Sequence, residues 1–296
     1  MLKGKLFKNA VGIEFRDGSL IAACLKKGFR GVKLISSITI PSAYDAISED
    51  DVSKLGGFVL RHNASAGNAS VAIPAEWCLV KFMDIPSPDK EAVKDLLRYE
   101  IERHIPFPLE EVYYSFKIAG KNNNGYRVVI AVVQKERIEQ LKEFLTRISL
   151  QPKVISVSPF SILNAVALSG YKPNMAKELS GIQSRSDIFG RRDDVSIALF
   201  IEHGNWNMAV IKAGCCINLE RIDFNYDRLE NIWNNISAGV SAALSGLSIK
   251  KAGRMVISGN MTPEQFRFIS DKAGMPVKLV QKFAFYNSGN PDMNIL

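Results

Sequence analysis

Apolar and polar positions alternate along the first forty residues with the period of two that half-buried β-strands show. The alternation runs from Val11 to Phe15 and leads into Asp17-Gly18, a dipeptide that favours a tight hairpin because both residues tolerate a positive φ. Two more β-prone stretches follow at 20–25 and 32–40. The pattern predicts a meander of three strands at the start of the chain.

The apolar spacing then changes to the steps of three and four residues that are typical of an amphipathic helix. A helix is predicted at 49–62 and a short strand at 71–73. The same order returns in the second half, with three strands between 195 and 224, a helix at 228–248 and a strand at 254–257. This internal duplication predicts two mixed α/β lobes with a cleft between them.

A different unit lies between the two repeats. A strand at 79–85 is followed by Ser87-Pro88, and a hydroxyl before a proline is typical of a helix start. Apolar residues at three- and four-residue steps predict a helix from Asp89 to His104. The same start signal, Thr262-Pro263, predicts a late helix before a last strand at 277–280. The remaining predicted elements are strands at 112–118, 126–133 and 153–157 and helices at 135–148 and 159–168.

The chain is expected to divide into two lobes with an insertion, because 296 residues exceed one small domain. The stretch before residue 195 is rich in Gly, Ser and charged residues and has no sustained periodicity, which is typical of a flexible connection. The expected parts are residues 1–76 with about 150–170 as the first lobe, 77–149 as an inserted subdomain, 171–194 as the flexible connection and 195–296 as the second lobe.

Composition indicates a soluble globular protein without a metal site. Apolar residues make up 47% of the chain and charged residues 23%. The cysteines Cys24, Cys78, Cys215 and Cys216 lack metal-ligand spacing, so reduced thiols and no bound metal are expected. No stretch approaches the roughly 20 apolar residues that a membrane-spanning helix needs, and no signal peptide is evident. A cytosolic polypeptide is therefore expected.

The net charge of +8 raises the question of an anionic partner. The basic residues are scattered, and no segment interleaves aromatic residues with arginine, so a nucleic-acid partner is not expected. Lys3, Lys5 and Lys8 form the densest local set. Two interpretations of this set stay open, a solvated flexible end and a segment attracted to an acidic membrane surface.

The most specific motif lies in the middle of the chain. Ile85-Pro86 and the run RYEIERHIPFPLEEVYYSF at 98–116 resemble the PilM family of type IV pilus proteins. Members of this family are actin-like and related to FtsA, and the cytoplasmic domain of the type II secretion protein GspL shares their fold. The resemblance implies an α/β protein with duplicated actin-like (RNase H-like) βββαβα lobes and a small inserted α+β subdomain. Weaker similarity in the two meanders extends it over nearly the whole chain.

The chain departs from the family pattern where a nucleotide would bind. Relatives carry Asp-x-Gly in the first hairpin and a lysine a few residues later. Here Glu14 and Arg16 stand at the Asp and Gly positions and Ile21 at the lysine position, and Arg16 adds a side chain where phosphate would need bare backbone. Glu202-His203-Gly204 forms the second turn, and Ser258-Gly259-Asn260 replaces a Gly-Gly pair. The comparison implies a degenerate pocket, with no cofactor, no catalytic residue and no enzyme activity expected; residual binding of ATP stays open.

The resemblance implies a binding role instead. The PilM protein captures the cytoplasmic tail of the membrane protein PilN, and the GspL counterpart contacts the secretion ATPase GspE. We therefore expect a scaffold of the inner-membrane assembly platform that links a PilN-like or GspM-like membrane protein to a GspE-like motor ATPase; homodimer formation stays open. A groove between a sheet edge and a helix is expected near Arg98, Tyr99, Glu102 and Phe107, with core packing of Tyr99 and Phe107 as the alternative.

An active actin-like ATPase or filament former is the alternative function, and it needs Glu14 or Glu202 to hold magnesium. Relatives continue beyond the last predicted strand into a closing helix or, in GspL, into a membrane span. The chain that ends at Leu296 is therefore expected to be a cytoplasmic fragment of a protein peripheral to, or anchored at, the bacterial inner membrane.

Overall fold

The computed structural model describes ten stretches of the chain, namely residues 9–16, 18–28, 31–42, 47–62, 69–122, 124–169, 194–202, 205–222, 228–259 and 261–280. The expected flexible connection at 171–194 lies outside the described residues except for Asp194. Lys3, Lys5, Lys8 and Gly204 also lie outside them.

Thirteen strands and six helices form in the described stretches. In chain order they are β1 (Asn9–Arg16), β2 (Ser19–Gly28), β3 (Gly31–Ile40), α1 (Glu49–Arg61), β4 (Ala69–Ile73), β5 (Cys78–Ile85), α2 (Val93–His104), β6 (Val112–Asn122), β7 (Gly125–Gln134), α3 (Lys135–Arg147), β8 (Pro152–Val157), α4 (Ser158–Ser169), β9 (Val195–Glu202), β10 (Asn205–Lys212), β11 (Cys215–Ile222), α5 (Leu229–Gly246), β12 (Arg254–Ser258), α6 (Pro263–Lys272) and β13 (Val277–Val280).

The first sheet has the strand order β3-β2-β1-β4-β8. Its central strand β1 pairs antiparallel with β2 and parallel with β4. Val11, Ile13 and Phe15 are buried, as the alternation predicts, and they share one core with apolar residues of α1 and α3. α1 begins at a reciprocal cap, in which Asp51 N donates to Ser48 Oγ and Ser48 N donates to the Asp51 carboxylate.

The second sheet repeats this arrangement in the order β11-β10-β9-β12-β13. Its central strand β9 pairs antiparallel with β10 and parallel with β12. α5 buries Ile232, Ile236 and Val240 against the sheet. α6 begins at Thr262, whose side chain accepts from Gln265 N, so the predicted start of this helix is confirmed. The duplicated order of strands and helices in the two halves is therefore confirmed.

A third sheet, with the order β5-β7-β6, is antiparallel throughout and lies against α2. Its core combines Val93, Leu97 and Ile101 of α2 with strand residues such as Ile85 and Ile130. α3 follows β7 in the chain but contributes its apolar face to the core of the first sheet. The division of the chain into an inserted subdomain at 77–149 and two lobes stays a prediction.

The predicted start of α2 at Asp89 is wrong, because the helix begins at Val93. Ser87 Oγ donates to the carbonyl oxygen of Asp89 at 2.7 Å and so does not cap an amide. The carboxylate of Asp89 accepts from Ala92 N, also at 2.7 Å. The residues between Ser87 and Ala92 therefore form turns ahead of the helix.

Helix α4 connects the two large sheets. It follows β8 of the first sheet, and its Leu163 and Val166 are buried against Phe200 and Val256 of the second. Within the described stretches, no helix combines the length and apolarity that crossing a bilayer requires.

Candidate functional site

The first hairpin places Glu14 directly opposite Ile21, because β1 and β2 pair in antiparallel register. Glu14 is half-buried, and its Oε1 accepts a hydrogen bond from Ser158 Oγ at 2.8 Å. Ser158 is almost fully buried at the start of α4. The Glu14 carboxylate thus joins the first sheet to the helix that packs on the second. Arg16 ends β1 opposite Ser19, and its side chain lies outside the description.

The second hairpin is described only in part. Glu202 ends β9 with its backbone opposite Asn205, while its side chain and Gly204 lie outside the description. Gly259 follows β12, is buried, and has a φ of +120°, which favours glycine over residues with a side chain. Because β9 and β12 are parallel neighbours, Glu202 and Gly259 lie at the same carboxyl end of the second sheet.

Three of the four residues expected to contact a partner lie on the outer face of α2. Arg98, Tyr99 and Glu102 are exposed, and Tyr99 has 70% of its surface accessible. Tyr99 is therefore not a core residue. Leu96, one turn earlier, is also exposed, and it widens the apolar part of this face. These four residues are called the α2 surface below.

Phe107 has a different position. It is half-buried and packs against the core of the three-stranded sheet, in the segment that leads from α2 to β6. The structure thus groups Arg98, Tyr99 and Glu102 on one face of α2. Phe107 lies after this helix and packs inward, against the core of the three-stranded sheet. Core packing, the alternative interpretation, describes Phe107 and not Tyr99.

Among the described strands, β6 forms one edge of this sheet, since it pairs with β7 in the order β5-β7-β6. Tyr114 is exposed and alternates with Val112 and Phe116, which belong to the core under α2, so it lies on the α2 side of the sheet. Tyr113 points to the other side, where its hydroxyl donates to Glu139 Oε1 at 2.7 Å.

Glu139 and its neighbours fix the position of Tyr113. Lys142 Nζ lies 2.7 Å from the same Glu139 oxygen and 5.1 Å from the Tyr113 ring centroid. The hydrogen bonds from Lys142 and then from Tyr113 lower the pKa of Glu139. Tyr113 is therefore bound to α3, whereas Tyr114 and the α2 surface have free apolar area.

Within the described stretches, no three His, Cys, Asp or Glu side chains come close enough together to hold a metal ion. Burial raises the pKa of Cys78 and of Cys216 to about 12. Thiols with such a pKa are almost wholly protonated near neutral pH and are poor nucleophiles and ligands.

Residues 13–181, more than half of the chain, match the family model of the type IV pilus assembly protein PilM. The chain belongs to the PilM family. Among solved structures, a chain of the PilM–PilN type IV pilus biogenesis complex is similar to this protein, with 16% identity and a TM-score of 0.62. The alignment covers 92% of this chain and 88% of the chain in that complex. The cytoplasmic domain of EpsL, an inner membrane component of the type II secretion system of Vibrio cholerae, aligns over 96% and 90%, with 11% identity and a TM-score of 0.51.

Both likenesses span nearly the whole length of this PilM-family protein, and at such identities they establish the fold. The expected fold class, a duplicated actin-like α/β protein, is confirmed. The family membership expected from the run at 98–116 is confirmed as well.

Two residues of interest in this PilM-family protein were not singled out from the sequence. Ser158 precedes Pro159, a hydroxyl–proline pair like Thr262-Pro263 at the start of α6, so a signal for its position was present. Leu96 lies three residues after Val93, within the same three- and four-residue pattern as the buried Leu97 and Ile101. The spacing therefore gave no signal that separates the exposed Leu96 from the buried residues of the helix.

Proposed function

We propose that this PilM-family protein is a non-catalytic scaffold of the inner-membrane assembly platform of a type IV pilus or type II secretion system. It binds the cytoplasmic tail of a PilN-like or GspM-like membrane protein and links that protein to a GspE-like motor ATPase. It works at the cytoplasmic face of the bacterial inner membrane. The exposed aromatic and apolar area of the α2 surface is the observation that carries this proposal.

An extended peptide suits the α2 surface and the β6 edge. An edge strand offers main-chain hydrogen bonds, and the exposed Tyr99, Leu96 and Tyr114 offer apolar contacts for side chains of the peptide. Exposed tyrosines are common among the residues that contribute most to binding energy. A similar solved structure is a PilM–PilN complex, which supports a PilN-like partner for this chain.

The first hairpin supports the absence of nucleotide chemistry. Magnesium and a triphosphate need free carboxylate oxygens and cations or bare amides. Glu14 Oε1 accepts a bond from the buried Ser158, and the residue opposite Glu14 is the apolar Ile21. This hydrogen bond and the apolar residue opposite Glu14 support a first hairpin without a metal–phosphate group, and no catalytic step is assigned to this protein.

The proposal is tested by titrating the labelled N-terminal tail peptide of the PilN-like or GspM-like protein with the full chain and following fluorescence anisotropy. Tyr99→Ala is expected to weaken peptide binding by at least about tenfold, since truncating a central aromatic contact typically has an effect of this size or larger. Leu60→Ala is the matched control, because Leu60 is 73% exposed on α1 of the first sheet.

The two variants should separate clearly. Leu60→Ala is expected to bind as the wild type does. Equal affinity of wild type and Tyr99→Ala would refute the α2 surface as the binding site, and no binding of either tail peptide by the wild type would refute the scaffold function.

A further inference from the structure

The first lobe carries its charges unevenly. Four segments of the sequence contain no Asp or Glu at all, namely residues 1–13, 18–44, 52–75 and 144–177. Two of the acids that flank these segments in the sequence are Glu14 and Asp51. Glu14 lies near the carboxyl end of β1, and Asp51 lies in the first turn of α1. A lack of acids in the sequence does not by itself create a positive surface. Such a surface also requires that the basic side chains lie close together in the fold.

The topology brings exposed cations from these segments to the amino end of the first sheet. Lys26 lies at the end of β2 opposite Asn9, the first residue of β1, and Lys33 lies opposite Lys26 on β3. Lys153 lies at the start of β8, at the far edge of the same sheet. Arg61 ends α1, where the Asn9 side chain donates to the carbonyl oxygen of His62.

These four side chains, called the basic end below, are all exposed. Within the described stretches none of them takes part in an ion pair with an acid. Lys26 and Lys33 face each other directly across an antiparallel pair, an arrangement that is unfavourable without a nearby negative charge. The basic end is therefore an uncompensated positive surface.

The shape of the basic end favours a flat anionic partner. Its cations come from separate strands and a helix end, and five strands side by side span roughly 20 Å. The sequence just before β1 combines apolar Leu2, Leu6 and Phe7 with Lys3, Lys5 and Lys8, a composition typical of segments at a lipid interface.

We infer that the basic end of the first lobe docks on the surface of a bilayer that contains anionic phospholipids. This inference rests on the proposed placement of the protein at the inner membrane, and it adds a direct lipid contact that does not depend on any protein partner. The basic end consists of residues of the first sheet and α1, whereas the proposed peptide site lies on α2 and β6, so the two sites share no residue.

The test is co-sedimentation of the full chain with vesicles, with no partner protein present. The vesicles are an equal mixture of phosphatidylglycerol and phosphatidylcholine, compared with phosphatidylcholine alone. The wild type is expected to sediment with the anionic vesicles only and to be released as added salt shortens the screening length. The double variant Lys26→Glu/Lys33→Glu is expected to lower the partition coefficient by at least about 25-fold, because each lysine near such a surface contributes about fivefold.

Lys250→Glu/Lys251→Glu is the matched control, since both lysines are exposed on the second lobe and the change in net charge is the same. It should lower partition only a few-fold. Lys153→Glu on β8 tests a third cation of the basic end separately and should lower the partition coefficient about fivefold. Each variant is checked for folding by circular dichroism.

Equal losses in the two double variants would assign the attraction to net charge and overturn the inference, as would equal sedimentation with both kinds of vesicle. Binding of DNA at low salt without binding of vesicles would also overturn it. Failure here leaves the tail-peptide titration unaffected, because that assay contains no lipid.

Discussion

At the scale of single residues, Gly125 shows the most severe packing constraint. It begins β7 with a φ of +156°, and a Cβ at this position would lie 2.0 Å from the carbonyl oxygen of Ile85 and 2.8 Å from Ser87 N. The chain between β5 and α2 therefore packs directly on the backbone of Gly125. Only glycine allows this close approach.

Gly125→Ala is expected to lower the free energy of unfolding by more than about 2 kcal/mol, because backbone atoms on both sides must move. Chemical denaturation of the purified variant measures this value. Gly120→Ala is the control in the neighbouring strand, where a Cβ meets nothing within 4 Å, and it should change stability by less than about 0.5 kcal/mol. A Gly125 variant as stable as the control would contradict the close approach.

Sequence patterns located the outer residues of α2 but not their surroundings. Leu97 and Ile101 follow the three- and four-residue spacing of a buried helix face, and helix geometry places Arg98 and Glu102 on a different face. Tyr99 was ambiguous because an aromatic residue suits a core and a binding surface equally well. The bond between Ser158 and Glu14 joins residues 144 positions apart, and no local pattern reports such a contact.

At the scale of elements, the helix starts differ in whether the cap is reciprocal. Thr262 is followed three residues later by Gln265, whose Oε1 accepts a hydrogen bond from Thr262 N at 2.9 Å, and α6 begins as predicted. Ser87 is followed three residues later by Lys90, a side chain that cannot accept a bond, and the predicted start there is wrong. The acceptor three residues after the hydroxyl, and not the proline, distinguishes the two cases.

The reciprocal cap of α1 has a pH signature. Hydrogen bonds from the backbone and then the side chain of Ser48 lower the pKa of Asp51 from its ordinary value of 3.8. A lowered carboxyl pKa stabilises the fold above the ordinary value, and this stabilisation is lost as the pH falls through the lowered value. Asp51→Asn should therefore lower the melting temperature near neutral pH, and the difference from the wild type should narrow below about pH 4.

Asp50→Asn is the matched control for this measurement. Asp50 lies in the same turn, and it forms an exposed ion pair with Lys54, a type of pair that contributes little to stability. Its effect on the melting temperature should be smaller. A constant difference between wild type and Asp51→Asn from neutral to acid pH would contradict the role of the Asp51 carboxylate.

At the scale of the whole molecule, the three-stranded sheet contacts the second five-stranded sheet. Arg127 of β7 pairs with Asp84 at 2.9 Å and donates from Nε to the carbonyl oxygen of Ile217 on β11 at 3.3 Å. Ala119 of β6 is buried in the core of the second sheet. A partner bound at the α2 surface therefore contacts a unit that is itself packed on both large sheets.

The sequence was sufficient for the duplicated sheets and insufficient for this contact. Strand and helix order follows from periods of two and three to four, which are local properties of the chain. The pairing of Arg127 with Ile217 links residues 90 positions apart, and it depends on how the finished units pack. The fold was therefore more predictable than the surfaces that its packing creates.

The central claim is that the protein acts by holding other proteins and not by turning over ATP. Calorimetric titration of the full chain with the tail peptide of its PilN-like or GspM-like partner, carried out with and without magnesium and ATP, tests it most directly. The expected result is the same dissociation constant in both conditions and no release of phosphate. Peptide binding that requires ATP, or phosphate released during the titration, would contradict the claim.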